Sequence, residues 1–205
     1  VPYMYSTNPS GCIDSYACNY SLDAIEDDGS CVYADLGYDY SMNFSDDFVD
    51  FGTINNFPQS EFTISFWEKF SDSSDQQTVF SYASTSTDNE CVLMYISTGV
   101  KFYLAGHLPL TLSAPHSTNI WDYVTITWDS SNGEVFFYRN GTLQTQATYQ
   151  QNLTLSSSGY LVLGQEQDSY GGTFQSSQAL HGSLDNVQIW STVLSQDDIQ
   201  DYMNC

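Results

Sequence analysis

From about Gly37 onward the chain repeats one pattern that leaves little choice of fold: short runs of alternating apolar and polar residues, separated by polar turns. Phe62, Ile64 and Phe66 alternate with Thr63 and Ser65, and Val124, Ile126 and Trp128 repeat the pattern. A period of two sends every second side chain to the same face, so each run predicts a half-buried strand. Glu134 to Tyr138 lead into Arg139-Asn140-Gly141, and Asn-Gly is the strongest two-residue hairpin signal. Leu153 and Leu155 predict a further short strand, followed by Tyr160 to Leu163 and Val187 to Trp190. One helix is predicted, Gln196 to Tyr202, with Ser195 as N-cap and Asp197 and Asp198 in its positive first turn. Short strands joined by polar turns imply an all-β sandwich or jelly roll.

Composition then removes whole classes of function. The 205 residues suffice for one full-size β-domain with something small attached. Three basic side chains, Lys69, Lys101 and Arg139, stand against twenty-five acids, for a net charge of −22. No basic surface can offset phosphate charge, which excludes nucleic acid. An anionic lipid surface is disfavoured unless a cation bridges to it. No run of eighteen apolar residues exists, so no membrane insertion is expected. The acidity reads either as solubility in a salty medium or as a surface that attracts cations. Ser, Thr, Asn and Gln carry most of the remaining polarity, which suits an extracellular β-protein better than a disordered acidic tail. The chain opens at Val1 with neither Met nor a signal core, and is expected to be a mature or excised fragment.

Residues 1–36 read differently from residues 37–205 and form a separate predicted unit. The segment Gly11-Cys12-Ile13-Asp14-Ser15-Tyr16-Ala17-Cys18-Asn19-Tyr20, continuing to Asp27-Asp28-Gly29-Ser30-Cys31, is too short to bury a core and needs covalent or metal staples. It resembles a short cysteine-containing repeat of secreted and surface proteins of marine microbes. That resemblance implies a Cys12–Cys31 disulfide. Cys18 is then left to Cys91, Cys205 or another chain; Cys18–Cys205 would leave Cys91 free. Asp14, Asp27 and Asp28 suit either an ion or a disulfide-closed polar turn. The clustered cysteines, with glycosylation sequons at Asn19, Asn43, Asn140 and Asn152, point to a secreted or cell-surface protein.

The chemistry concentrates between Leu163 and Gln178. Two carboxylates, several amide oxygens and Gly171-Gly172 share one short loop. Calcium takes six to eight oxygens, main-chain carbonyls among them, from an adaptable loop, and glycine allows the backbone bends that bring them together. The same run also suits a plain solvated loop. Asn43-Phe44-Ser45-Asp46-Asp47-Phe48-Val49-Asp50-Phe51 and Phe62-Thr63-Ile64-Ser65-Phe66-Trp67 resemble the opening of a concanavalin-A-like, laminin-G-type domain. The 163–178 block, with Asp88-Asn89-Glu90 upstream and Gly182 to Trp190 downstream, is similar to the pentraxins. The resemblance covers residues 37 to 202. It implies a jelly-roll β-sandwich with one short C-terminal helix and a calcium site. Asp88, Asn89, Glu166, the Gln167 carbonyl and Asp168 would hold a first ion; Glu166, Asp168, Gln175 and Gln178 would hold a second, weaker one. Three carboxylates against two divalent ions leave about one positive charge to attract an anionic or hydroxyl-rich ligand. Met94 and Leu104 fall near the family's apolar pocket, and also suit buried strand positions. Family members carry a His and a Cys where this chain has Tyr123 and Thr125, and the partner Cys would fall at Ser65, so this intradomain disulfide is absent.

Same-fold glycoside hydrolases need paired acids, about 5 Å apart for retention, and arrange them as Glu-x-Asp-x-Glu, a run this chain lacks. His107, His116 and His181 are isolated in sequence. The expectation is therefore not an enzyme but a calcium-dependent, lectin-like module for glycans or anionic groups. The alternative is a structural subunit of an extracellular fibre, sheath or appendage, self-associating or disulfide-linked, in which calcium only stiffens the fold.

Overall fold

Alternation along the chain becomes two six-stranded antiparallel sheets with a shared apolar core. The computed structural model describes residues 10–13, 21, 23–31 and 41–203. Two compact units divide the chain: Val1–Asp39 together with Asp197–Cys205, and Tyr40–Gln196.

In the first unit, β1 (Ser10–Gly11) and β2 (Glu26–Asp27) form a two-stranded parallel ladder. The Cys12–Cys31 disulfide closes it. Asp27 accepts from the Gly29 amide at 3.0 Å and Asp28 from the Ser30 amide at 2.9 Å. The acidic run therefore folds as consecutive Asx turns, and the hydrogen bonds from Ser30 hold the Asp28 carboxyl below its ordinary value. Asp14, Cys18, Asn19 and Cys205 lie outside the described residues. The helix predicted at Gln196 to Tyr202 is present as α1 (Gln196–Met203).

The second unit holds β3 (Met42–Ser45), β4 (Val49–Ile54), β5 (Glu61–Phe70), β6 (Gln77–Ala83), β7 (Cys91–Ile96), β8 (Gly99–Leu104), β9 (Leu110–Leu112), β10 (Asp122–Asp129), β11 (Glu134–Arg139), β12 (Thr142–Thr148), β13 (Gly159–Leu163) and β14 (His181–Trp190). One sheet runs β12-β11-β10-β5-β14-β3 and the other β4-β13-β6-β7-β8-β9. This is the predicted all-β jelly-roll sandwich. Phe62, Ile64 and Phe66 sit opposite Trp128, Ile126 and Val124 in the β5–β10 register. All six are buried, together with Phe80, Tyr82, Leu93 and Phe102 from the facing sheet. Each such side chain contributes about 1.5–3 kcal/mol on leaving water. Asn140 and Gly141 both take positive φ, +51° and +66°, as a two-residue hairpin between β11 and β12 requires. Thr125 and Ser65 are direct cross-strand partners. Where a disulfide could have spanned them, the Tyr123 hydroxyl donates to Ser65 Oγ at 2.8 Å. Cys91 is buried on β7 and unpaired.

The strand expected at Leu153 and Leu155 is not there. Asn152 takes φ +61°, and its amide bonds Ser130 O, whereas the Leu155 amide bonds Gln59 O. The leucines alternate, but their main chain is stapled to two separate loops rather than to a neighbouring strand.

The same alternation turns polar groups inward. Glu68 follows Phe62, Ile64 and Phe66 on the buried face of β5 and is 2% exposed. The Tyr95 hydroxyl donates to Glu68 Oε1 at 2.7 Å. Asp122 lies opposite Glu68 in register. Arg139 reaches Asp122 at 3.6 Å and Glu68 at 3.9 Å. Burial pushes the Glu68 carboxyl up to about 8.

Candidate functional site

The loop that leaves β13 is closed at its neck. The Gly164 amide donates to Val79 O at 3.1 Å, and the Leu180 amide donates to Gly164 O at 2.9 Å. Entry and exit therefore meet at one residue, as in a compact Ω-loop. Gly164 has φ +84°, and a Cβ there would fall 2.3 Å from the Phe44 ring; no other residue fits.

Gln167 fastens the loop to the outer surface of the sheet. Its side-chain amide donates to Ser81 O at 3.0 Å, Ser81 Oγ at 3.2 Å and Tyr160 O at 3.1 Å. Its Oε1 accepts from the Gly171 amide at 3.0 Å. The sequence suggests only a main-chain role for Gln167; its side chain is the clasp. No local signal reveals this, because Ser81 lies 86 positions away.

Around this frame the structure brings together some of the expected oxygen donors, Glu166 with Asp168 and Asp88, Asn89 with Asp88, and Gln175 with Asp168. Glu166 is 3% exposed, and its carboxyl is raised to about 7 by burial, then by the negative charges of Asp168 and Asp88. These three acids, drawn from two distant segments, thus share one field. Asp88 Oδ1 accepts from the Asn89 side-chain amide at 3.0 Å, and the Gln175 side chain donates to Asp168 Oδ2. Gln178 follows on a 3₁₀ turn, Ser176–Gln178. Glu166 Oε2 and Gln178 Oε1 are both buried with no hydrogen-bond partner. A buried oxygen without a donor is costly; two in one loop match a cation better than they match a self-sufficient turn. Among the described residues, no three His, Cys, Asp or Glu side chains stand close enough together to hold an ion by themselves. Amide and main-chain oxygens have to complete any such shell, and this donor set, all hard oxygen, fits calcium.

Glu90, beside Asp88 and Asn89 in sequence, turns away from this cluster, and its Oε1 accepts from the Ser156 amide at 2.6 Å. Leu104 belongs to the core cluster. Met94 is buried next to Lys101 in the β7–β8 register. Tyr103 stands near enough to the loop that Glu166, after burial, raises its phenol.

Fold and loop together define a jelly-roll sandwich that carries an acidic, amide-rich loop on the outer surface of one sheet. The profile of the pentaxin family matches residues 38–205, and the chain belongs to that family. It is 31% identical over 156 residues to serum amyloid P-component of Cavia porcellus, covering 76% of this chain and 70% of that protein. With human C-reactive protein it shares 34% over 122 residues, 59% of this chain and 54% of the relative; the match thus spans little more than half of that protein's length. Among solved structures, a native heptameric pentraxin of the serum-amyloid-P type from Limulus polyphemus superposes with a TM-score of 0.64 at 20% identity, over 80% of this chain and 76% of that one. A carbohydrate-binding protein from Bacteroides ovatus, so assigned without proof, gives 0.59 at 18% identity, over 78% and 46%. These distant structures share the fold.

Proposed function

We propose that this chain is a non-enzymatic, calcium-dependent recognition module of the extracellular space, binding glycans or anionic groups through the Leu163–Gln178 loop. The observation that carries the reading is Glu166 Oε2, buried and without a hydrogen-bond partner beside the Asp88 and Asp168 charges, with a second such oxygen, Gln178 Oε1, later on the same loop. Asp88, Asn89, Glu166, the Gln167 carbonyl and Asp168 would hold the first calcium. Glu166, Asp168, Gln175 and Gln178 would hold the second, with Gln175 released from Asp168 as the ion enters. The bound ion supplies positive charge and an open coordination position in an otherwise acidic protein. The chain's own part is to hold that position still: Gln167 clamps the loop and the Gly164 neck prevents it from peeling away. Family membership and the fold shared with a protein described as carbohydrate-binding support a ligand of this kind. Residues 1–36 would be a separate stapled repeat. Two sequon side chains are engaged at both ends and would have to be freed before modification: Asn140 accepts from the Tyr123 amide and donates to Asp122, both at 2.8 Å, and Asn43 accepts from Ser183 Oγ at 2.7 Å and donates to Ser41 O at 3.3 Å.

Calorimetric calcium titration of chelator-stripped protein, beside an Asp168→Ala variant, tests the reading. The expected result is one or two ions bound by the wild type, a raised melting temperature, and neither in the variant. A wild type without heat and without stabilisation would leave the loop a scaffold element.

A further inference from the structure

Beside the loop two tyrosine rings are held in place by their hydroxyls. Tyr160, on β13, donates to Asp50 Oδ2 at 2.8 Å. Tyr170, two residues beyond Asp168, shares a hydrogen bond of 2.9 Å with Thr53 Oγ1. Asp50 and Thr53 both belong to the edge strand β4. The rings meet edge to face, 5.5 Å between centroids at 69°. Gly171 sits where a Cβ would come within 2.9 Å of the Tyr160 ring, so the loop backbone lies directly against it. Tyr170 remains 40% exposed.

Pinning the loop to β4 requires only the hydroxyls. It does not account for an aromatic ring left open to solvent beside the oxygen cluster. Fixed at both ends, that ring loses little side-chain freedom when something packs on it. Its surroundings select the partner. No Lys, Arg or His occurs on β4, on β13 or between Gly164 and Leu180, whereas Asp50, bonded to Tyr160, and Asp168, two residues before Tyr170, are both exposed. On these elements an anionic group meets only carboxylates, His181 beyond them being already engaged by Asp72 and Asp46. An uncharged sugar ring offers an apolar C–H face to the aromatic surface and hydroxyl donors to Asp50.

We propose that the Tyr170 ring, propped edge to face on Tyr160, is a stacking platform for a neutral pyranose residue whose neighbouring hydroxyls reach the oxygen-rich loop. This rests on the calcium reading above and narrows its ligand to an uncharged sugar at this position.

Titration of the calcium-loaded protein with methyl β-galactoside and with galacturonate, followed by NMR, separates the outcomes, with calcium affinity measured on the same samples. The neutral sugar should bind and depend on the Tyr170 ring, whereas galacturonate, whose carboxylate can take the open calcium position, should depend on it less. Tyr170→Ala should lower affinity for the galactoside about tenfold. Tyr170→Phe, which keeps the ring but frees it from Thr53, should fall between wild type and Tyr170→Ala, and both variants should still bind calcium. Normal calcium binding with galactoside affinity indifferent to Tyr170→Ala, or with galacturonate losing as much as the galactoside in that variant, overturns the platform and leaves the calcium reading standing. A wild type that binds no calcium overturns both.

Discussion

Two groups of acids in this molecule are built from the same parts and end differently. Inside the sandwich, Glu68 and Asp122 face each other across β5 and β10, and Arg139 stands with them. On the outer surface, Glu166 shares its field with Asp168 and Asp88, and no basic side chain lies on its loop. Burial is the first cause of the raised carboxyl in both, to about 8 for Glu68 and about 7 for Glu166. The difference is the counter-charge. The inner cluster has one that cannot leave; the outer cluster has none on its loop and, in the function proposed above, takes one from solution. Repulsion among acids is therefore a structural matter in the first place and a binding capacity in the second. His181 stands between these cases: its Nδ1 lies 2.9 Å from Asp72 and its Nε2 3.3 Å from Asp46, a counter-charge present only when protonated.

The largest effect should come from removing the permanent cation. Arg139→Met leaves Asp122 as an uncompensated carboxylate beside a buried glutamate, at a cost of about 3 kcal/mol measured by chemical denaturation. An effect below about 0.5 kcal/mol would mean that the inner cluster is not held by charge.

Next is the proton on Glu68. Its folded-state value lies above its unfolded value, so the protonated acid's contribution is fully present below about 4.5 and is lost as pH rises through about 8. Stability of the calcium-saturated protein should fall steadily across that window. In Glu68→Gln the decline should be much flatter. An unchanged slope in that variant would assign the dependence to another group.

Calcium at a hundredfold excess over its dissociation constant should stabilise the wild type by about 2.7 kcal/mol. The same addition to Glu166→Gln should give a markedly smaller rise in melting temperature, while Glu68→Gln responds as wild type. Equal responses in both variants would erase the distinction between the clusters.

The smallest effect belongs to His181. The hydrogen bond to Asp72 raises its imidazole most, burial opposes it, and Asp46 adds to the rise, so its contribution is complete below its unfolded value near 6.5 and fades as pH climbs past the raised one. With both acids largely in solvent, His181→Asn should cost under about 1 kcal/mol at pH 5.5 and nothing measurable at pH 9.

Much of this was legible locally. The β5 and β10 faces follow from alternation, and the β11–β12 turn from Asn140-Gly141, because each depends on neighbours a few residues away. The alternation even carries Glu68 onto the buried face, two positions beyond Phe66, although a charge there is the residue least expected inside. Leu153 and Leu155 show the limit: a period of two describes side chains, while a strand also needs a partner for its main chain, and Asn152 turns that main chain elsewhere. The donor set of the loop could be named through resemblance, but neither the Gln167 clasp nor the tyrosine platform could.

By itself the sequence determined the sandwich class, the acidic field and the oxygen-rich character of the 163–178 loop, since periodicity, charge and donor chemistry are carried by the residues themselves. Tertiary structure decided which acids share a field, which one receives Arg139, and which ring stays open to solvent. Those outcomes depend on pairs such as Glu68 with Arg139, Gln167 with Ser81 and Tyr170 with Thr53, which only strand register and loop closure bring within hydrogen-bonding or ion-pairing distance.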